Sequence, residues 1–298
     1  MSVKKLALAV SSVALAGAAI TGCGASNSQN TSNATGGAKA SKNITIGWLG
    51  WTEDVAITYL WKQILENKGY HVSLKELDPG PLFLGLSNPN NLDFFMDTWI
   101  PSDSIFVNKY KAKLKDLGVW YTGSSSQGIA VPQYMKNVNT PQDLQKYASE
   151  FGNTVVGIEA GSEEMTAAQK WLQDYGVTNM HLQSSSTTAM LTSLERAYQQ
   201  HKPVAVVMWT PHWAFTKYHL KYIKDPDKIL ASDDSIHIEA NGNWANANPQ
   251  VTKWLQNFKL NATQLSALEE DVNAASDKQQ GANKWLQQNQ SLVNSWLK

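Results

Sequence analysis

The sequence predicts an open α/β fold, and three observations carry that expectation. Val204 to Met208 is an unbroken apolar run after Lys202-Pro203, which reads as a buried strand. Ile44 to Leu49 and Leu92 to Asp97 are two further strand-like runs. Between such runs the chain carries helix-start signals, such as Thr140-Pro141-Gln142-Asp143, which combines an N-cap, a proline at N1 and an acid in the first turn.

The three strand-like runs end alike. The Val204 run stops at Trp209-Thr210-Pro211, because Pro211 has no N–H for a ladder, and its mouth carries Trp209, His212 and Trp213. Ile44–Leu49 runs into Gly50-Trp51-Thr52-Glu53, and Leu92–Asp97 into Thr98-Trp99-Ile100-Pro101. Ligands of open α/β sheets bind outside the carboxyl ends of strands. A lone tryptophan at a strand end is ordinarily core. Three at equivalent ends point to a site.

Taken in order, residues 1 to 22 read as a targeting segment. Lys4 and Lys5 form the charged region, and Leu6 to Ile20 is apolar and small, too short to span a membrane with these flanks. Ile20-Thr21-Gly22-Cys23 resembles the lipobox of bacterial lipoproteins. That implies cleavage before Cys23, a lipid on its sulfur, and a protein anchored at the extracytoplasmic face of the cell membrane. An odd cysteine in an exported chain otherwise lacks an explanation. Residues 23–43 are rich in Ser, Asn, Gly, Thr and Ala and read as a flexible tether.

The remainder is long enough for two lobes of ordinary size. Thr52 is expected to cap a helix whose first turn holds Glu53 and Asp54 and whose apolar face is Val55, Ala56, Tyr59, Leu60 and Ile64. Tyr70–Leu74 reads as a second strand, Pro79-Gly80-Pro81 as the start of a short helix, and Ser104–Leu114 as helical. A second unit follows, with strands at Gly128–Pro132 and Thr154–Ile158, and helices from about Glu163 and around Leu191–Ala197. Ser235–Glu239 reads as a short strand. Beyond Asn248-Pro249 the pattern is helical, and Trp254, Trp285 and Trp296 sit at packing positions.

Composition narrows the partners. The 25 basic residues less Lys4 and Lys5 leave 23 against 25 acidic, a net charge of −2 after cleavage, which argues against nucleic acid. Arg196 is the only arginine, so no arginine cluster can clamp an anion. No phosphate loop, dinucleotide fingerprint, nucleophile elbow or zinc-protease motif occurs, and the six histidines lack metal spacing. No cofactor and no metal are expected, and no repeat is visible.

A cage of indole faces suits a quaternary ammonium group. Such a cation has no N–H to donate, and its charge is spread over methyl groups that favour both apolar contact and a negative π face. Each cation–π contact contributes roughly 0.5–2 kcal/mol, with Trp the best partner. Such ligands often carry a carboxylate at the far end. The start of the Thr52 helix offers N–H groups at Glu53, Asp54 and Val55 as an anion site. The acidic side chains must point away for this to work; they are read as matching the helix dipole. His212 offers a second donor.

Gly47-Trp-Leu-Gly-Trp-Thr-Glu-Asp-Val-Ala56, Asp97-Thr-Trp-Ile-Pro101, Asp116-Leu-Gly-Val-Trp-Tyr121, Gly128-Ile-Ala-Val-Pro132 and Trp209-Thr-Pro-His-Trp213 resemble the substrate-binding proteins of glycine betaine/choline/proline-type ABC transporters. The resemblance runs from about Ile44 to Phe258. It implies a two-lobed periplasmic-binding-protein fold, type II-like, with the ligand in the interlobe cleft. Lobe one is then 44–126 plus 214–298, and lobe two 127–213. By the same resemblance, Trp99 and Trp209 belong to the cage, with Trp51 as third wall and Trp48 or Trp213 as alternatives. The carboxylate amides fall near Asp54 and Val55, with His212 as side-chain donor. The implied partners are glycine betaine or a related small quaternary ammonium compound and an ABC transporter permease. Choline-binding relatives place a Tyr where this chain has Gln127, which favours a betaine. Choline, carnitine or proline is the alternative ligand. An exported carbohydrate-active enzyme using Glu159 and Glu163 is the competing class.

Overall fold

The computed structural model describes residues 42–230 and 233–298. The expected leader, most of the tether and Cys23 lie outside the described residues.

The first sheet is built from β1 (Asn43–Trp48), β2 (His71–Glu76), β3 (Phe94–Ile100) and β4 (Leu114–Val119), with α1 (Thr52–Asn67), α2 (Pro79–Leu86) and α3 (Ser104–Tyr110) between them. The chain then crosses to a second sheet. That sheet is built from β5 (Ser126–Pro132), β6 (Thr154–Val156), β7 (His181–Gln183), β8 (Ala205–Thr210) and β9 (Leu220–Tyr222). Its helices are α4 (Pro141–Lys146), α5 (Glu163–Asp174), α6 (Thr187–Gln199) and α7 (Ala214–Lys217). The chain returns with β10 (Ser235–Asn241) and ends in α8 (Gly242–Ala247), α9 (Pro249–Asn257), α10 (Ala262–Ala274), α11 (Lys278–Gln288) and α12 (Gln290–Trp296).

Strand order is β2-β1-β3-β10-β4 in one sheet and β7-β6-β8-β5-β9 in the other. In each, two parallel pairings lead to a central strand, β3 or β8, flanked by an antiparallel neighbour. Each sheet is therefore mixed, and the architecture is the two-lobed α/β fold expected. β3 and β8 are almost wholly buried, as their apolar runs require. Each ends in a tryptophan, one residue and a proline after a cis peptide bond, at Ile100-Pro101 and Thr210-Pro211.

Three expectations need correction. The return to lobe one was placed at 214, but Leu220–Tyr222 pairs with β5 in the second sheet, so the return follows β9. Asn43, assigned to the tether, already pairs with His71. The helix expected over Ser104–Leu114 stops at Tyr110, and Leu114 opens β4.

The tail tryptophans are core, as expected. Trp296 is 2% exposed and stacks on Trp61 and Trp285, with Phe258 edge-on at 4.8 Å. This cluster ties the last helix to α1. Trp296→Ala should lower unfolding stability by about 3–5 kcal/mol, the usual range for a buried aromatic cut to alanine. Urea titration checks this, and a shift of under about 0.5 kcal/mol would mean that α12 packs without holding the lobe.

Candidate functional site

One pocket takes its walls from both sheets. Trp51 follows β1, Trp99 closes β3, and Trp209 closes β8; all three line it. The cavity they enclose has a volume of about 20 Å³, so the three rings stand close together. The ring centres of Trp51 and Trp209 are 6.3 Å apart at 53°. Trp48 and Trp213, the alternative third walls, face elsewhere. Trp48 packs edge-on against Tyr59, and Trp213 packs on His212 and Tyr218 beneath Lys217.

Among the described residues, no Lys, Arg or His lines this pocket, but Glu53, Asp103, Glu163 and Glu164 do. Burial dominates the chemistry of Glu53, Asp103 and Glu164. It pushes Glu53 up to about 7 against the hydrogen bonds that favour its anion, and Asp103 likewise to about 7. Glu164 is held well above the carboxylate range by burial, then by Glu53, Asp234 and Glu159. Asp97, fully buried behind the pocket, is raised by burial, then by Glu53 and Asp54. Near pH 7, Glu53 and Asp103 are therefore close to their midpoints.

The start of α1 differs from the sequence expectation. Trp51, not Thr52, is the N-cap, and Thr52 is the first helical residue. The Asp54 carboxylate explains this. It accepts the Leu49 N–H at 2.6 Å and the Thr58 hydroxyl at 3.1 Å, so it pins the incoming turn from inside. The Val55 N–H, expected to bind an anion, is spent on the Trp51 carbonyl at 2.9 Å. Asp54 and Val55 do not line the tryptophan pocket. Val55 and Thr52 face a neighbouring depression with Trp48, Thr187 and Glu269. Reading Glu53 and Asp54 as mere helix-dipole partners is also corrected, since both side chains are fully buried.

His212 is likewise engaged elsewhere. Its Nδ1 accepts the Ala214 N–H at 3.0 Å, so in the neutral ring the proton sits on Nε2, which donates to Thr52 Oγ1 at 2.9 Å. Burial lowers its pKa to about 3, so it is uncharged. It stands behind Trp209, edge to face at 5.0 Å, and does not line the pocket.

The start of α5 also lines the pocket. Ser162 caps it by accepting the Met165 N–H, and Ser162, Glu163 and Glu164 all line the pocket. The first-turn N–H groups of Glu163 and Glu164 have no acceptor within their helix. Sequence reading located this helix start but not its aim. Gln127 also lines the pocket, its amide donating at 3.3 Å to Asp234 and at 3.4 Å to Ser102.

Both indole N–H groups at the lobe boundary are held by carboxylates. Trp209 Nε1 donates to Glu53 Oε2 at 2.9 Å, and Trp51 Nε1 to Glu159 Oε2 at 3.3 Å. Glu159 also accepts from the Thr187 amide and hydroxyl, both at 2.9 Å. Its oxygens are thus committed to protein donors, which removes it as a catalytic partner for Glu163.

Residues 42–288 match the family model for the substrate binding domain of ABC-type glycine betaine transport systems. The glycine betaine/carnitine transport binding protein GbuC of Listeria monocytogenes is 35% identical over 159 residues, 52% of this chain and about half (53%) of that relative. The ProX glycine betaine/L-proline-binding protein of Borrelia burgdorferi shares the fold at a TM-score of 0.79 and 25% identity, covering 86% of this chain and 97% of that one. Lactococcal OpuAC, in its closed form with glycine betaine, matches at a TM-score of 0.77 and 27% identity, covering 86% and 99%. With the family model covering nearly all of the folded chain, this protein belongs to the substrate-binding domains of ABC-type glycine betaine transport systems, a family of binding proteins rather than enzymes.

Proposed function

We propose that this chain captures a small quaternary ammonium compound, glycine betaine first among them, on the extracytoplasmic side and passes it to an ABC importer. One observation carries the reading: Trp51, Trp99 and Trp209, from three separate strand ends, line a single pocket that, among the described residues, no basic side chain lines. Three indole faces at roughly 0.5–2 kcal/mol each supply a useful part of the ~8 kcal/mol of micromolar binding.

The carboxylate of a betaine goes to the first turn of α5. Glu163 and Glu164, whose first-turn N–H groups have no acceptor within their helix, are among the residues lining the tryptophan pocket, and a helix N-terminus favours an anion. Burial raises the Glu164 side chain's pKa, which lessens its repulsion of the anion. This replaces the reading that used Asp54, Val55 and His212. Choline is the second reading, favoured by the acidic lining once Glu53 and Asp103 ionise.

Trp99→Ala or Trp209→Ala should weaken glycine betaine binding by about 2 kcal/mol or more, with Phe replacements keeping part of it. Calorimetry on the folded variants decides; wild-type affinity in both would place the ammonium elsewhere.

The acids give a pH dependence with a definite sign. A bound cation favours the ionised forms of Glu53 and Asp103, whose pKa values are both about 7. Choline binding should therefore release protons and strengthen as pH rises through 7. Glycine betaine, with no net charge, should respond less. In Glu53→Gln the choline profile should flatten. Choline titrations from pH 5.5 to 8.5 test this, and a profile that Glu53→Gln leaves unchanged refutes the role of Glu53.

The anchor is proposed on the lipobox-like Ile20-Thr21-Gly22-Cys23. Cys23→Ser removes the sulfur that would carry the lipid. The variant should leave the membrane fraction with its ligand affinity unchanged, whereas retention in that fraction would rule the lipid anchor out.

A further inference from the structure

Three consecutive residues at the end of lobe one each bond to the opposite lobe. Trp51 donates to Glu159, Thr52 pairs with His212, and Glu53 accepts from Trp209. Glu159, Trp209 and His212 all follow or end strands of the second sheet. Two of the three bonds join a cage tryptophan to a carboxylate of the other lobe, and they run in opposite senses. Lobe one lends Trp51 and takes Trp209; lobe two lends Trp209 and takes Trp51.

The two sheets make this exchange nearly symmetric. β1 and β6 hold the same place in their sheets, each between two parallel neighbours. Trp51 stands three residues beyond β1, and Glu159 three residues beyond β6. The same position carries the ring in one lobe and its acceptor in the other.

We propose that Glu53, Glu159 and His212 are positioning residues that form a reciprocal latch, fixing the cage indoles only when the lobes are closed. Cage assembly and closure are then one event. An indole has a single N–H, so a carboxylate on that edge sets the plane of the ring and hence where its face points. Glu159 is itself fixed by the N-terminus of α6 through Thr187, so it presents a stationary acceptor.

The latch rests on the reading that the ligand's ammonium group sits among the three indoles, and the experiment separates the two. Stopped-flow dissociation of glycine betaine and of choline is measured from the full chain and its variants. Glu159→Ala should raise both dissociation rates about tenfold or more, with Glu159→Gln recovering much of the loss because its amide oxygen still accepts. In a Trp51→Phe background, which keeps a ring face but has no N–H, Glu159→Ala should change the rate less than twofold. His212→Ala should speed both ligands by the same factor. An equal effect of Glu159→Ala with and without the indole N–H would overturn the latch, since Glu159 would then act only by holding α6. Trp99 takes no part in the latch. If Trp99→Ala abolishes binding while Glu53→Ala and Glu159→Ala dissociate as wild type, the latch alone fails. If Trp99→Ala binds as wild type, or if neither ligand binds the unaltered protein, the cage reading fails and the latch with it.

Discussion

A quaternary ammonium group, the proposed ligand, can be held by surfaces but not by hydrogen bonds, and the proposed site follows from that constraint. Dispersion and cation–π attraction fall off steeply with distance, so the walls must already stand where the ligand will be. An indole is a rigid wall, but its face is set by whatever holds its edge. In this cleft the edges of Trp51 and Trp209 are held by Glu159 and Glu53, each from the other lobe. The walls are therefore complete only across the interface of the two lobes, where a ligand shifts the equilibrium by its differential affinity for the closed form.

The acids around the cage make a second demand. Glu53, Asp97, Asp103 and Glu164 are all raised by burial, because a dry cleft disfavours their charge. An ionised carboxylate about 4 Å from a cation is worth about 4 kcal/mol at an effective dielectric constant of 20. One such group rivals two or three indole faces. The protonation state of Glu53 and Asp103 thus weighs on choice of ligand as much as the tryptophans do. A neutral acid leaves a cage that tolerates a zwitterion, and an ionised one favours a cation without a carboxylate.

Much of this was legible in the sequence, and the gaps have physical causes. β1, β3 and β8 announce themselves as apolar runs because they are interior strands, covered on both faces. The strands that sequence reading missed, β4, β7 and β9, are all sheet edges. An edge strand buries little, so Leu-Lys-Asp-Leu-Gly-Val, His-Leu-Gln and Leu-Lys-Tyr carry no clear alternation. Missing β9 is what misplaced the return crossing. The tryptophans were found because a large aromatic at a strand end is a local signal. The proposed anion end was not, because the sequence shows several helix starts and only tertiary structure decides which of them line the cleft. Thr52 looked the better cap, yet Asp54 reaches back to Leu49 and turns the start of α1 toward a different depression.

The correspondence between the lobes was equally invisible in the sequence, and the reason bears on how the cleft works. β1-α1-β2-α2-β3 and β6-α5-β7-α6-β8 follow one path, yet their residues at corresponding places differ in kind. A ring facing a ring at the lobe boundary would leave two indole donors without an acceptor, and two carboxylates would repel. A tryptophan on one side and a glutamate on the other satisfy both groups at once. Complementarity across the cleft thus requires the two halves to diverge where they meet. It preserves their likeness only in the backbone that carries β3 and β8 to the same two-residue approach to a proline, with Trp99 and Trp209 at corresponding places.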